Sequence, residues 1–139
     1  GGIQFNGDTA AANALDDYEE GTWTPTLNWT GVTYTSQSGY YTKIGNTVHV
    51  QARIEWTAND ANVQTIISGL PFTTSNATDI GMIKLFNVAV PAALSYNAVE
   101  AYQASLFIRY VNTAGVSASY PIAANDAGII CANAIYKVG

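Results

Sequence analysis

The chain has 139 residues, enough for one domain with a real core and too few for two, since domains cluster at about 100–150 residues. Its charged fraction is 11%, less than half the usual ~25%, so most of the surface must be neutral, and Thr, Ser, Asn, Gln, Gly and Tyr in place of Lys and Glu favour strands over exposed helices. Ten acidic against five basic residues give a net charge of −5, which opposes approach to phosphate backbones and anionic membranes, so neither nucleic acid nor membrane insertion is expected.

Half of the acidic residues (Asp8, Asp16, Asp17, Glu19, Glu20) precede Thr22, and the first basic residue is Lys43. Residues 1–21 therefore read as a connector ahead of a domain over 22–139. Thr9 to Leu15 has the makings of a short helix behind an Asp8 or Thr9 cap. From Thr22 the period becomes two: Trp23, Pro25, Leu27 and Trp29 point one way, and Thr22, Thr24, Thr26, Asn28 and Thr30 the other. Pro25 cannot donate to a ladder, which predicts an edge position or a bulge there. Gly39–Ile44 and Thr47–Trp56 read as a hairpin around Gly45-Asn46, with Val48, Val50, Ala52, Ile54 and Trp56 on an apolar face and His49, Gln51, Arg53 and Glu55 on a polar one.

Further strands are predicted at Val63–Ile67, Gly81–Val90, Ala101–Val111, Val116–Ile122 and Ile129–Val138, separated by turn-rich stretches such as Thr73-Thr74-Ser75-Asn76 and Asn125-Asp126-Ala127-Gly128. Seven or eight strands at this spacing predict an all-β, antiparallel β-sandwich or jelly roll. Gly81–Val90 and Ile129–Val138 are apolar on both sides. A two-layer sandwich covers only one of those faces, so the other calls for a subunit interface. No run approaches the roughly 20 apolar residues of a membrane span, and no signal-peptide pattern opens the chain. The single Cys131 excludes an intrachain disulfide, and in Ile129-Ile130-Cys131-Ala132 it is expected to be a buried, inert thiol of a protein made in a reducing cytoplasm.

The run Gly2-Ile3-Gln4-Phe5-Asn6-Gly7-Asp8, followed by Ala14-Leu15-Asp16-Asp17-Tyr18-Glu19-Glu20-Gly21-Thr22-Trp23-Thr24-Pro25-Thr26-Leu27, resembles a junction that recurs in bacteriophage tail fibre and tailspike proteins ahead of a C-terminal β-domain. Gly39-Tyr40-Tyr41-Thr42-Lys43-Ile44-Gly45-Asn46-Thr47-Val48 and Gly69-Leu70-Pro71-Phe72 resemble further elements of that family. The match covers the first half of the chain; from about Asp79 only the strand pattern agrees. The resemblance implies a virion protein, a homotrimer joined to upstream tail fibre or tailspike domains, and contact with bacterial surface polysaccharide or another receptor. It implies no catalytic residue and no cofactor, because depolymerase chemistry in such proteins usually belongs to an upstream β-helical domain.

The side chains that carry chemistry agree with a non-enzymatic reading. Asp16, Asp17, Glu19 and Glu20 are crowded in the connector, without the rigid separation a glycosidase pair needs or the spacing of a calcium loop, and read as a polar junction. His49 is the single histidine and sits on the polar face of its strand. No nucleophile-elbow, phosphate-loop or paired-cysteine motif occurs, and no metal site is expected. Asn28-Trp29-Thr30 and Asn76-Ala77-Thr78 match a glycosylation sequon, which matters only in a eukaryotic secretory pathway. The aromatics stand out: nine Tyr and three Trp accompany only four Phe. Tyr and Trp offer a stacking face and a hydrogen-bonding group together, which suits sugar rings, although aromatics also fill cores and interfaces. Trp29, Tyr34, Tyr40, Tyr41, Trp56 and Tyr102 are the candidate ligand-binding residues. Three readings follow: a receptor-binding fibre tip that acts by multivalent adhesion, a purely structural trimerisation cap, and a carbohydrate-binding module or small hydrolase of a bacterial enzyme.

Overall fold

The structure, a computed structural model, describes residues 17–58, 60, 64–75, 79–88, 94–112, 117–119 and 127–139. The helix expected at Thr9–Leu15 and the ends of several predicted strands lie outside the described residues. Every regular element described is a strand: β1 (Tyr18–Trp23), β2 (Thr26–Leu27), β3 (Thr33–Ile44), β4 (Thr47–Ala58), β5 (Ile66–Ser68), β6 (Asp79–Phe86), β7 (Leu94–Tyr102), β8 (Ser105–Asn112), β9 (Ser117–Ser119) and β10 (Gly128–Lys137). They pair in the order β1-β3-β4-β10-β6-β7-β8-β5-β2, with β9 on β8, and every pairing is antiparallel. The all-β, antiparallel expectation holds. Hydrogen bonding runs through one continuous curled sheet, where strand spacing had predicted the two sheets of a sandwich or jelly roll.

Proline explains how the curl begins. Trp23, Pro25, Leu27 and Trp29 are buried and Thr22, Thr24, Thr26, Asn28 and Thr30 are exposed, as the period of two demands. The strand nevertheless breaks at Thr24-Pro25, where the ladder loses its donor. The residues before the break pair with β3 and those after it with β5, so the two ends of the strand order are joined by two residues. A sheet tethered at both edges by so short a link must bend round to meet itself. Sequence placed the start of the domain at Thr22, whereas the sheet reaches back to Tyr18.

The β3–β4 hairpin forms as expected, with Gly45 at φ 57°. Glycine suits that left-handed backbone because it has no Cβ to clash. Inside β3, Gly39 lies opposite Trp23, whose indole covers it so closely that an added Cβ would lie 2.6 Å from Nε1. An aromatic shielding a strand glycine restores the apolar cover that the glycine lacks. One element was misread: the predicted strand Ala101–Val111 is the second half of a hairpin, with β7 and β8 turning at Gln103-Ala104. Gln103 adopts φ 53° without being Gly, Asn or Asp, so this turn carries none of the usual residue signals.

The inward faces of β4, β7, β8 and β10 supply most of the core: Val48, Val50, Ile54, Trp56, Val99, Leu106, Ile108, Ile130 and Tyr136, joined by Trp23, Leu27, Trp29 and Ile67. Trp29 and Trp56 meet edge to face at 5.2 Å, a favourable arrangement for aromatic quadrupoles. Tyr136 is the largest fully buried side chain, and burial pushes its phenol from 10.0 up to about 12. A phenol whose pKa is higher folded than unfolded leaves stability intact below pH 10 and withdraws it as pH rises toward 12. The urea midpoint should therefore fall between pH 10 and 12, and fall less steeply in Tyr136→Phe.

Candidate binding groove

The outer face of the sheet is ordered by register. Across β1, β3, β4, β10 and β6, the side chains pointing away from the core line up in rows. Tyr18, Ile44, Thr47 and Lys137 form the first row, and Glu20, Thr42, His49 and Ile135 the second. Thr22, Tyr40, Gln51, Asn133 and Met82 form the third; Ser38, Arg53, Cys131 and Lys84 the fourth; Ser36, Glu55, Ile129 and Phe86 the fifth. Of the seven exposed large hydrophobic side chains among the described residues, six (Tyr18, Tyr40, Ile44, Met82, Phe86, Ile135) lie on this face. The second apolar face that the sequence predicted for Ile129–Val138 and Gly81–Val90 is met in part: Met82 (69% exposed), Phe86, Ile129 and Ile135 (57%) point outward, interrupted by Lys84, Asn133 and Lys137, and residues 89–90 lie outside the described residues.

Rows three and four enclose an open groove of about 610 Å³. The half-buried Ser38, Cys131 and Asn133 make its floor, because their side chains are short, while the longer, exposed Tyr40, Gln51, Arg53, Met82 and Lys84 stand around it. Arg53 is oriented by Glu55, which accepts hydrogen bonds from Nε at 2.8 Å and from Nη2, and these bonds raise the guanidinium pKa further. Its Nη1 donates to Cys131 Sγ at 3.7 Å. Lys84 Nζ sits 4.4 Å from the centre of the Phe86 ring, a cation–π contact. Cys131 is therefore not the core thiol expected from its apolar run. The period of two turns Ile130 and Ala132 inward and leaves Cys131 half-buried on the groove floor.

The acidic residues near the N-terminus are engaged with neighbours. Lys43 Nζ pairs with Asp17 at 2.5 Å, the Tyr41 hydroxyl donates to Glu19 at 2.6 Å, and the Tyr18 hydroxyl donates to Glu20 at 2.7 Å. Those hydrogen bonds raise the pKa of both phenols. Asp17 and Glu19 tie the start of β1 to β3 as a polar junction, the Glu20 contact stays within β1, and Asp16 lies outside the described residues. His49 is exposed in row two, between Thr42 and Ile135.

The six candidate aromatics do not form one site. Trp29 (6% exposed) and Trp56 (2%) belong to the core and present no ring face to solvent, which removes them as ligand platforms. Tyr34 is half-buried, and its hydroxyl accepts the Leu27 N–H at 2.8 Å. Tyr41 is half-buried, edge-on to Phe72 at 5.3 Å. Tyr102 is exposed, but on β7 beside Phe107, away from the groove. Only Tyr40, 58% exposed, stands in the groove. Sequence reasoning missed Arg53, Gln51, Met82, Lys84 and Asn133 as a group. The alternation of β4 exposed Gln51 and Arg53 as polar-face residues, but their neighbours on β10 and β6 come from register alone.

The fold defines a class of antiparallel, single-sheet β-domain whose outer face mixes polar side chains with exposed apolar ones. Among solved structures, the crystal structure of the Dettilon tailspike protein (gp208) matches 84% of this chain with a TM-score of 0.61 at 14% identity. The matched region is 23% of the tailspike's own length, so this chain shares its fold with about a quarter of that protein. No family model and no curated protein matches the chain.

Burial separates the aromatic candidates in a measurable way. Trp29→Ala should cost about 3–5 kcal/mol of stability, as for other buried Trp truncations. Tyr40→Ala should stay within about 0.5 kcal/mol of wild type in urea unfolding, since it removes an exposed ring.

Proposed function

We propose that this chain is a non-enzymatic tip domain of a bacteriophage tail fibre or tailspike, acting as a homotrimer on the virion and holding a bacterial surface glycan during adsorption. The observation that carries this reading is the shared fold with a tailspike over most of the chain. The Leu15–Pro25 resemblance supports it from the residues, without reference to fold. In this reading the curled sheet serves as the sandwich-like body of the tip, with the rest of the fibre lying outside this segment.

The outer face supports assembly. Tyr18, Ile44 and Ile135 lie in two adjacent rows and are each more than half exposed. Copies of the same chain seated against those rows would remove that apolar surface from water. Three weak glycan sites on one rigid trimer then gain avidity from effective concentration, so no single site needs to bind tightly. The half-buried free thiol of Cys131 suits synthesis in the reducing host cytoplasm. The same three exposed apolar side chains also favour a second reading, a trimerisation cap that contacts no receptor.

Light scattering across a dilution series reads the assembly directly. The expected mass is three times the 14.7 kDa of one chain, falling to one chain in Ile135→Asp with the β-sheet circular dichroism retained. A wild-type monomer at every concentration overturns the trimer. Retention of the trimer on host cells separates the receptor-binding tip from the cap.

A further inference from the structure

The groove is electrically unlike the chain that carries it. The protein has twice as many acidic as basic residues, yet the groove lining includes Arg53 and Lys84, two of the five basic residues, and no acidic residue. The two cations differ in availability. Arg53 is held by Glu55, as Lys43 is by Asp17 and Arg109 by Glu100. Lys84 has the Phe86 ring, and among the described residues no carboxylate pairs with it. Its ammonium is presented at the groove margin, with no ion-pair partner among the described residues.

Around that charge the groove offers neutral groups suited to hydroxyls: the amides of Gln51 and Asn133 and the hydroxyl of Ser38, each able to donate or accept. Tyr40 adds one exposed ring on the opposite side. Tyr40 stands on β3 and Lys84 on β6, three strand steps apart in the order β3-β4-β10-β6, or about 14 Å at ~4.8 Å per step. That span exceeds one pyranose ring.

We propose, extending the glycan-binding reading above, that this groove takes an anionic oligosaccharide, with one sugar ring over Tyr40 and a uronic-acid carboxylate at Lys84. A surface polysaccharide with one acidic sugar in each repeating unit presents isolated carboxylates. Nucleic acid presents a phosphate at every nucleotide, which a domain of net charge −5 repels. The charge-assisted contact at Lys84 selects the acidic sugar, and the neutral amides and Tyr40 hold the rest.

The test is an array of bacterial capsular and O-antigen polysaccharides, each acidic member printed beside its carboxyl-reduced form, probed with the whole chain. Binding should concentrate on acidic members and weaken about tenfold on carboxyl reduction. It should weaken about as much in Lys84→Gln, while Tyr40→Ala weakens binding to both forms. Thermal melts of both variants should match wild type, because both positions are exposed. Equal binding to acidic and reduced forms, or Lys84→Gln binding like wild type, overturns the anionic ligand and leaves glycan binding standing. Retention of a single-stranded DNA oligonucleotide in place of the acidic glycans overturns it as well. Binding to nothing on the array overturns both this inference and the receptor reading.

Discussion

β10 lies between β4 and β6, paired with residues some eighty positions earlier on one side and about fifty earlier on the other. Its alternation sends Gly128, Ile130, Ala132, Ala134 and Tyr136 into the core and Ile129, Cys131, Asn133, Ile135 and Lys137 outward. A slip of one residue would exchange the two sets, burying Asn133 and Lys137 and exposing Ile130 and Tyr136, so burial fixes the register. The small inward residues are as necessary as the large ones. An added Cβ at Gly128 would meet the Trp56 ring at 2.8 Å, so the glycine makes room for the indole. Most of the pairings that stabilise this sheet are long-range, which predicts slow folding set by loop closure rather than by local turns.

The same register builds the outer face. Once β4, β10 and β6 are aligned, Gln51, Asn133 and Met82 must share one row, and Arg53, Cys131 and Lys84 the next. The groove is therefore a consequence of strand pairing and needs no loop to shape it. Its side chains stand on the best-paired part of the sheet, where backbone positions are least free to drift. The neighbouring rows are apolar at Tyr18, Ile44 and Ile135, so one face carries both a polar groove and a surface that water disfavours. In the proposed trimer, Tyr18, Ile44 and Ile135 would meet other copies while the groove stays open.

Local pattern made some of this legible and concealed the rest. Val48 to Trp56 read correctly as one face of a strand because period two needs only neighbouring residues, and Pro25 marked an irregularity, expected as an edge position or a bulge and found as a break, because a missing donor is a local property. The β7–β8 hairpin stayed hidden: Gln103 takes a left-handed backbone with a side chain that does not advertise it. Trp29 and Trp56 looked like ligand platforms by residue type alone, and only packing shows them touching each other in the core. Cys131 sat in an apolar run, yet strand alternation turned it outward. The groove joins the β3–β4 hairpin to β6 and β10, which lie far along the chain, so no single window contains both of its sides.

Coverage of the outer face by neighbouring copies is the claim on which the functional reading turns, and hydroxyl-radical footprinting measures it side chain by side chain. The protein at working concentration is compared with the Ile135→Asp variant. Tyr18 and Ile44 should be oxidised severalfold less in wild type, while Tyr40 and Met82, in the open groove, react alike in both. Equal oxidation of Tyr18 and Ile44 in the two proteins would contradict a face covered by other copies of the chain.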